Sequence, residues 1–240
     1  MGQPSQIVEG VGAEPSAPEL DFSVAGVEPL ERAAAPTLRF RLRISRSGGA
    51  AVRSIALNVQ LRIAATRRAY DVETRERLAE LFGAGDAWGR NLHSLPWTSV
   101  SLNVPGFQDE TRVELQVPCT YDFEVAASKY LHGLRDGEVP LELLFGGTVF
   151  YAARGGALQI SLLAWEKEAE FRMPVGVWRR LMDHYFAGQA WLRLGTDSFD
   201  RLHAFRSRNA LPSWDRTIDA LLDAAEGAGP LPPDREAERD

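Results

Sequence analysis

From Leu38 to Ile44 the chain alternates strictly between apolar and cationic residues: Leu38, Phe40, Leu42 and Ile44 against Arg39, Arg41 and Arg43. A period of two puts each set on its own side of a strand, one side buried and the other wet, and no helix satisfies it. After the turn signal Ser47-Gly48-Gly49 the period returns in Ile55, Leu57, Val59, Leu61 and Ile63, and it is foreshadowed by Leu20, Phe22 and Val24. Further strands are expected at 97–104, 111–117, 139–152 and 157–171, the last two joined through Arg154-Gly155-Gly156. Strands in this number without intervening crossover helices predict an antiparallel sandwich, not a parallel sheet.

Helical spacing is rarer and concentrates late in the chain. Glu73 to Phe82 carries Leu78, Leu81 and Phe82 on one side and ends at Gly83, and Phe123 to Leu134 reads as a second helix. Beyond Pro174, residues 175–186 place Val177, Trp178, Leu181, Met182 and Tyr185 at helical intervals. Helices are also expected over 198–208 and, capped by Ser213, over 214–225. The fold class expected is therefore α+β: an antiparallel β-sandwich with a few helices, including a helical C-terminal part (174–226). Residues 18–226 are read as one domain between a disordered leader (1–17) and a disordered tail (227–240), both rich in Pro, Gly and charge.

Composition narrows the function classes. A formal net charge of -6 argues against general nucleic-acid binding, which needs a cationic surface to release counterions. The lone cysteine, Cys119, excludes an internal disulfide and any multi-cysteine metal or cluster site, and fits a reducing cytoplasm. The N-terminus lacks the basic and apolar regions of a signal peptide, and Gln6 stands where myristoylation wants Ser or Thr. Val139 to Ala153, the most apolar stretch, is too short to span a bilayer. A cytoplasmic protein without membrane insertion is expected.

No motif for chemistry emerges. Phe82-Gly83-Ala84-Gly85 follows a helix, whereas a phosphate cradle needs a strand before it. Phe145-Gly146-Gly147 lies within a predicted strand, where glycine marks a bulge or a close backbone approach. His93, His132, His184 and His203 stand singly, so no metal ligand pair is spaced in sequence. Cys119 in Val117-Pro118-Cys119-Thr120-Tyr121-Asp122 has no partner base and reads as a buried thiol. The expectation is a protein that is not an enzyme, with no catalytic residue, metal or cofactor. An unfamiliar active site would have to gather Cys119, Asp122, His132 or Arg67 in one cleft.

What remains are surfaces. From Thr37 to Ala69 there are many arginines and no acidic residue. Arg39, Arg41, Arg43, Arg67 and Arg68 make a candidate partner-binding face, the alternative being a solvated sheet exterior neutralised by Glu114, Glu142 and Glu166, Glu168 and Glu170. The last three share the period of two, which suggests a charge ladder against Arg39, Arg41 and Arg43. A candidate groove or free sheet edge is offered by Phe145, Gly146, Gly147, Cys119, Tyr121 and Trp97. Trp88 and Trp97, flanking the loop-like stretch 89–96, are the tryptophans expected outside the core.

Several segments carry a resemblance: Pro36-Thr-Leu-Arg-Phe-Arg-Leu, Arg67-Arg-Ala-Tyr70, Leu81-Phe-Gly83, Val117-Pro-Cys-Thr-Tyr-Asp122, Lys129-Tyr-Leu-His132, Pro140 to Phe150 and Leu211-Pro-Ser-Trp-Asp215. In these the chain resembles an uncharacterised, mostly actinobacterial family, a domain of unknown function whose genes tend to lie in nickel–iron hydrogenase clusters. The resemblance implies no catalytic residue. It implies an accessory role near hydrogenase maturation, assembly or electron transfer. With the absent active-site motifs and the arginine face, the expectation is an accessory protein that docks to another protein, a hydrogenase subunit or maturation factor. A small-ligand or peptide-binding sandwich, suggested by the apolar strand Leu143-Leu-Phe-Gly-Gly147, is the alternative and an enzyme with an unrecognised site the second.

Overall fold

A computed structural model describes residues 16–120, 122, 125–153, 156–164, 166–186, 188 and 192–228. The leader to residue 15, the tail from 229, the proposed helix start at Phe123, the turn residues Arg154 and Gly155, and Tyr121, Trp165 and Trp191 lie outside the described residues. The chain groups into two compact units, Met1–Trp191 and Leu192–Asp240.

In the first unit the alternating segments form β1 (Glu19–Pro29), β2 (Thr37–Gly48) and β3 (Val52–Ile63). Three short helices follow, α1 (Val72–Arg77), α2 (Ala79–Phe82) and α3 (Ala87–Asn91), then β4 (Leu95–Phe107), β5 (Glu110–Pro118), α4 (Ala126–Gly133), β6 (Glu138–Ala152), β7 (Leu158–Leu162), β8 (Glu168–Pro174) and α5 (Val175–Phe186). The first sheet is ordered β1-β2-β5. The second runs β4-β3-β6-β7, with β8 also paired to β6. All pairings are antiparallel.

The two sheets meet through the residues whose period announced them. Leu38, Phe40, Leu42 and Ile44 from β2 and Ile55, Leu57, Val59, Leu61 and Ile63 from β3 are buried in one cluster. Phe40 sets its ring edge-on to Trp97 of β4 and Phe171 of β8, at 6.3 and 6.1 Å, and Phe22 of β1 stacks on Phe145 of β6 at 4.2 Å. These contacts cross from sheet to sheet, so the fold is an α+β sandwich. The Gly48-Gly49 turn carries the chain from one sheet to the other and does not close a hairpin.

Several elements depart from expectation for identifiable reasons. The strand expected over 157–171 is two strands, because β7 pairs with Thr148–Ala152 of β6 and β8 with Glu138–Leu144. The helix expected over 73–82 breaks at Leu78, whose side chain is drawn into the core. Its start is fixed by Asp71, which accepts a hydrogen bond from Thr74 N at 2.7 Å. The 89–96 stretch is not a loop: α3 covers its beginning and β4 its end. Trp88 and Trp97 are accordingly core-facing. Trp88 is buried edge-on to Tyr70 and Phe82, each at 5.2 Å, because the turn at Gly83 and Gly85 folds α3 back onto α2. Helix α5 has the predicted bounds. It follows the strand closed by Pro174, and its Tyr185 hydroxyl donates to Ala33 O at 2.8 Å, holding the β1–β2 connection.

The second unit holds α6 (Thr196–Arg208) and α7 (Trp214–Ala228). Ser213 caps α7, its hydroxyl accepting from Arg216 N at 3.2 Å, and Trp214 lies 5.6 Å from Phe199 with the Arg206 guanidinium 4.7 Å above its ring. Among the described residues no helix is long and apolar enough to cross a membrane.

Candidate interaction surfaces

The outer side of the first sheet carries Arg39, Arg41 and Arg43, as their alternation required. Acidic neighbours engage two of the three. Arg39 contacts Glu28 of β1 at 2.5 Å and Glu114 of β5 at 3.3 Å, and the Glu28 hydrogen bond raises its already high pKa further. Arg43 contacts Glu110 at 2.5 Å. Among the described residues Arg41 makes no ion pair, since Glu114 opposite it turns to Arg39.

The ladder between these arginines and Glu166, Glu168 and Glu170 does not exist. The neighbours of β2 are β1 and β5, whereas β8 belongs to the second sheet, and Glu166 sits in the turn before it. Glu170 instead meets Arg67 at 2.5 Å, and Arg67 also reaches Glu142 at 3.2 Å. Glu142 alternates with the buried Leu141 and Leu143, so Arg67 lies over the outer side of the second sheet. Arg68 donates to the carbonyls of Glu138 and Asp136 at 2.6 and 2.9 Å. The five-arginine face is thus divided: Arg39, Arg41 and Arg43 lie on one side of the sandwich and Arg67 on the other.

The groove residues are likewise separated. Phe145 is buried against Phe22. Gly147 has φ +138, and a Cβ there would stand 2.1 Å from Ala56 O, so the strand needs glycine for close approach to β3. Strand β6 offers no free edge at this point: β3 takes one side, and on the other Phe145 N donates to Lys167 O at 2.8 Å and Gly147 O accepts from Leu163 N at 3.0 Å. Trp97 packs on Phe40. Tyr121 lies outside the described residues.

Cys119 is buried at the end of β5, its thiol 3.6 Å from Val117 O, and burial pushes the thiol pKa up to about 12. A nucleophilic cysteine needs the opposite shift. His132 is exposed on α4, and Arg67 is held in its two ion pairs. Among the described residues no group of three or more His, Cys, Asp or Glu is placed to hold a metal ion.

The feature that sequence reasoning missed is the outer side of the second sheet. Gln60, Asn58 and Ala56 of β3 stand beside Ser99, Ser101 and Asn103 of β4, and on the other side beside Leu144, Gly146 and Thr148 of β6. Asn58 ties this row together, donating to Ser101 Oγ at 3.0 Å and accepting from Ser99 Oγ at 3.2 Å. Thr148 and Phe150 then face Leu162 and Ile160 of β7. From the Gln60 rung to the Ser54 rung these four strands present no charged side chain outward. At its margin Leu158, Ile160 and Leu162 are 62%, 60% and 79% exposed. Strand β7 pairs only with β6 among the described residues, and it carries neither charge nor proline to guard its open edge. Its alternation was visible in sequence. The period gives two sides but not which one is buried.

Residues 17–229 match the model of a family of unknown function, DUF6084. The chain belongs to this family. All the motif segments that carried the sequence resemblance fall inside the match. No curated protein matches this DUF6084 chain. Among solved structures it is similar to the CARDB domain of a Pyrococcus furiosus protein in complex with di-metal ions, at 10% identity and TM-score 0.26, covering 65% of this chain and 92% of that one. It is also similar to β-glucosidase 3B from Thermotoga neapolitana in complex with glucose, at 12% identity and TM-score 0.25, and to a β-glucosidase from Kluyveromyces marxianus, at 8% identity and TM-score 0.22. Each of these covers 65% of this chain, which spans 17% and 15% of the two glucosidases.

Proposed function

We propose that this DUF6084 protein is a cytoplasmic, non-enzymatic accessory protein that binds a partner protein through the second sheet, the partner adding an extended apolar segment to β7. The observation that carries this reading is the unguarded edge at Leu158–Leu162, exposed beside a charge-free sheet exterior. Depletion of charge is the compositional mark of an interface core, and an open edge strand gives main-chain hydrogen bonds to an incoming strand while alternate side chains read its sequence. The arginine exterior of the first sheet supports docking less well, because Arg39 and Arg43 are already engaged by Glu28, Glu114 and Glu110. For the partner we propose a component of the nickel–iron hydrogenase system, on the family resemblance of the sequence motifs.

The test is to mix the purified protein with each hydrogenase subunit and maturation factor of its host and follow size by chromatography with light scattering. A complex that forms with the native chain and is lost with Ile160→Lys supports the reading. Failure of every mixture to shift in size at micromolar concentration rejects it.

A further inference from the structure

Away from both sheet exteriors, helices α1, α2, α4 and α5 of the first unit shape an open concavity of about 510 Å³ whose walls are mainly cationic. Arg77 of α1, Lys129 of α4, Arg135 in the turn after α4 and Arg179 of α5 all line it, together with His132 and one carboxylate, Glu80 of α2. The packing that brings them together is specific. Gly133 has no side chain, and a Cβ there would stand 2.6 Å from Leu78 Cδ2; α1 can therefore approach closely enough for Arg77 Nε to donate to Gly133 O at 2.7 Å. A second donation, from Arg77 Nη2 to Thr74 Oγ1 at 2.9 Å, fixes the plane of the guanidinium.

Among the described residues the cations here outnumber the carboxylates. Glu73 serves two cations, Arg77 at 2.7 Å and Arg135 at 3.6 Å, and Glu80 pairs with Lys129. Among the described residues, four permanent cations and one carboxylate, Glu80, line the concavity, with Glu73 paired to two of those cations, in a chain whose overall balance is negative. Arg77 Nη1 is buried and, although close to Glu73, lacks a hydrogen bond of good geometry. Arg77 and Lys129 are only 24% and 20% exposed, so an anion here would be screened less than on an open surface.

We propose that this concavity binds a small multivalent oxyanion, of the kind presented by a diphosphate or a tricarboxylate. Three of the cations are guanidinium groups, which match planar or tetrahedral oxyanions with paired donors. The site lies apart from β7 and stands or falls independently of partner docking. His132 provides an internal reporter: partial burial and the Arg179 charge hold its pKa below the ordinary value, and a bound anion would raise it.

The test is calorimetric titration of the full chain with pyrophosphate and, separately, with citrate at physiological ionic strength, alongside an NMR pH titration of His132. Saturable binding of one anion with an upward shift of the His132 pKa is expected, and the tighter of the two identifies the source chemistry. The double variant Arg135→Glu, Arg179→Glu alters two solvent-facing side chains and should weaken binding about tenfold or more, while Arg41→Glu on the first sheet leaves it unchanged. Absence of saturable binding by both anions, or binding that survives the double charge reversal, overturns the proposal.

Discussion

Arg43 and Arg112 stand directly opposite one another across the β2–β5 ladder, and Glu110 lies against both, at 2.5 and 3.4 Å. Like charges in register repel, so the carboxylate between them is what makes this rung tolerable. The Arg43 hydrogen bond, with both guanidinium charges, holds the Glu110 carboxyl below its usual pKa. A depressed folded-state pKa gives stability that is present above the unfolded value and is lost as pH falls through the folded one. Glu110→Gln should therefore lower the melting temperature at neutral pH, by an amount that shrinks in acid and in high salt. Melting curves from pH 3 to 7, at two salt concentrations, check both dependences.

The hydroxyls of Tyr70 and Tyr130 lie 2.7 Å apart, and Tyr70 also donates to Ala65 O at 2.7 Å. Tyr70 has one proton to give, so the fully buried Tyr130 is the donor between the two. Removing the Tyr70 hydroxyl orphans that donor and should cost about 1–3 kcal/mol, whereas Tyr130→Phe leaves the Ala65 bond intact and should cost about 0.5–1.5 kcal/mol. The double Phe variant is expected to be less destabilised than the sum of the singles. Urea unfolding of the three variants measures this; equal losses for the single changes would contradict the donor order.

Gly146 and Gly147 are neighbours with opposite tolerance. A Cβ on Gly146 meets nothing within 4 Å, while one on Gly147 would collide with the β3 backbone at a φ that L-residues avoid. Gly147→Ala should destabilise by about 3 kcal/mol or more, and Gly146→Ala by less than about 1 kcal/mol. Denaturant midpoints of the pair decide it.

Much of the fold was legible because it is written locally. The period of two in Leu38–Ile44 and Ile55–Ile63 named the core-facing residues of β2 and β3, and the helical spacing after Pro174 gave α5 its bounds. The glycines in Phe145-Gly-Gly were expected to mark a bulge or a close backbone approach, and Gly147 is a close approach. Pairing was not legible. Nothing within Glu168–Glu170 or Arg39–Arg43 says that their strands belong to different sheets, since that is decided by how β6 divides its free side between β7 and β8. Nor could Leu158-Gln-Ile-Ser-Leu162 reveal that its apolar side stays exposed, because local sequence does not say what packs above it. The arginines were conspicuous in sequence and prove largely paired; the uncharged surface was inconspicuous because it is assembled from four separate segments.

The most direct measurement is the affinity of one hydrogenase component for three forms of the chain: native, Ile160→Lys and Arg41→Glu. Ile160 and Arg41 are both exposed, one at the β7 edge and one on the first sheet, so neither change disturbs the core. Binding that falls at least about tenfold with Ile160→Lys and holds with Arg41→Glu is the predicted result. Loss with Arg41→Glu and retention with Ile160→Lys would move docking to the arginine exterior and contradict the account.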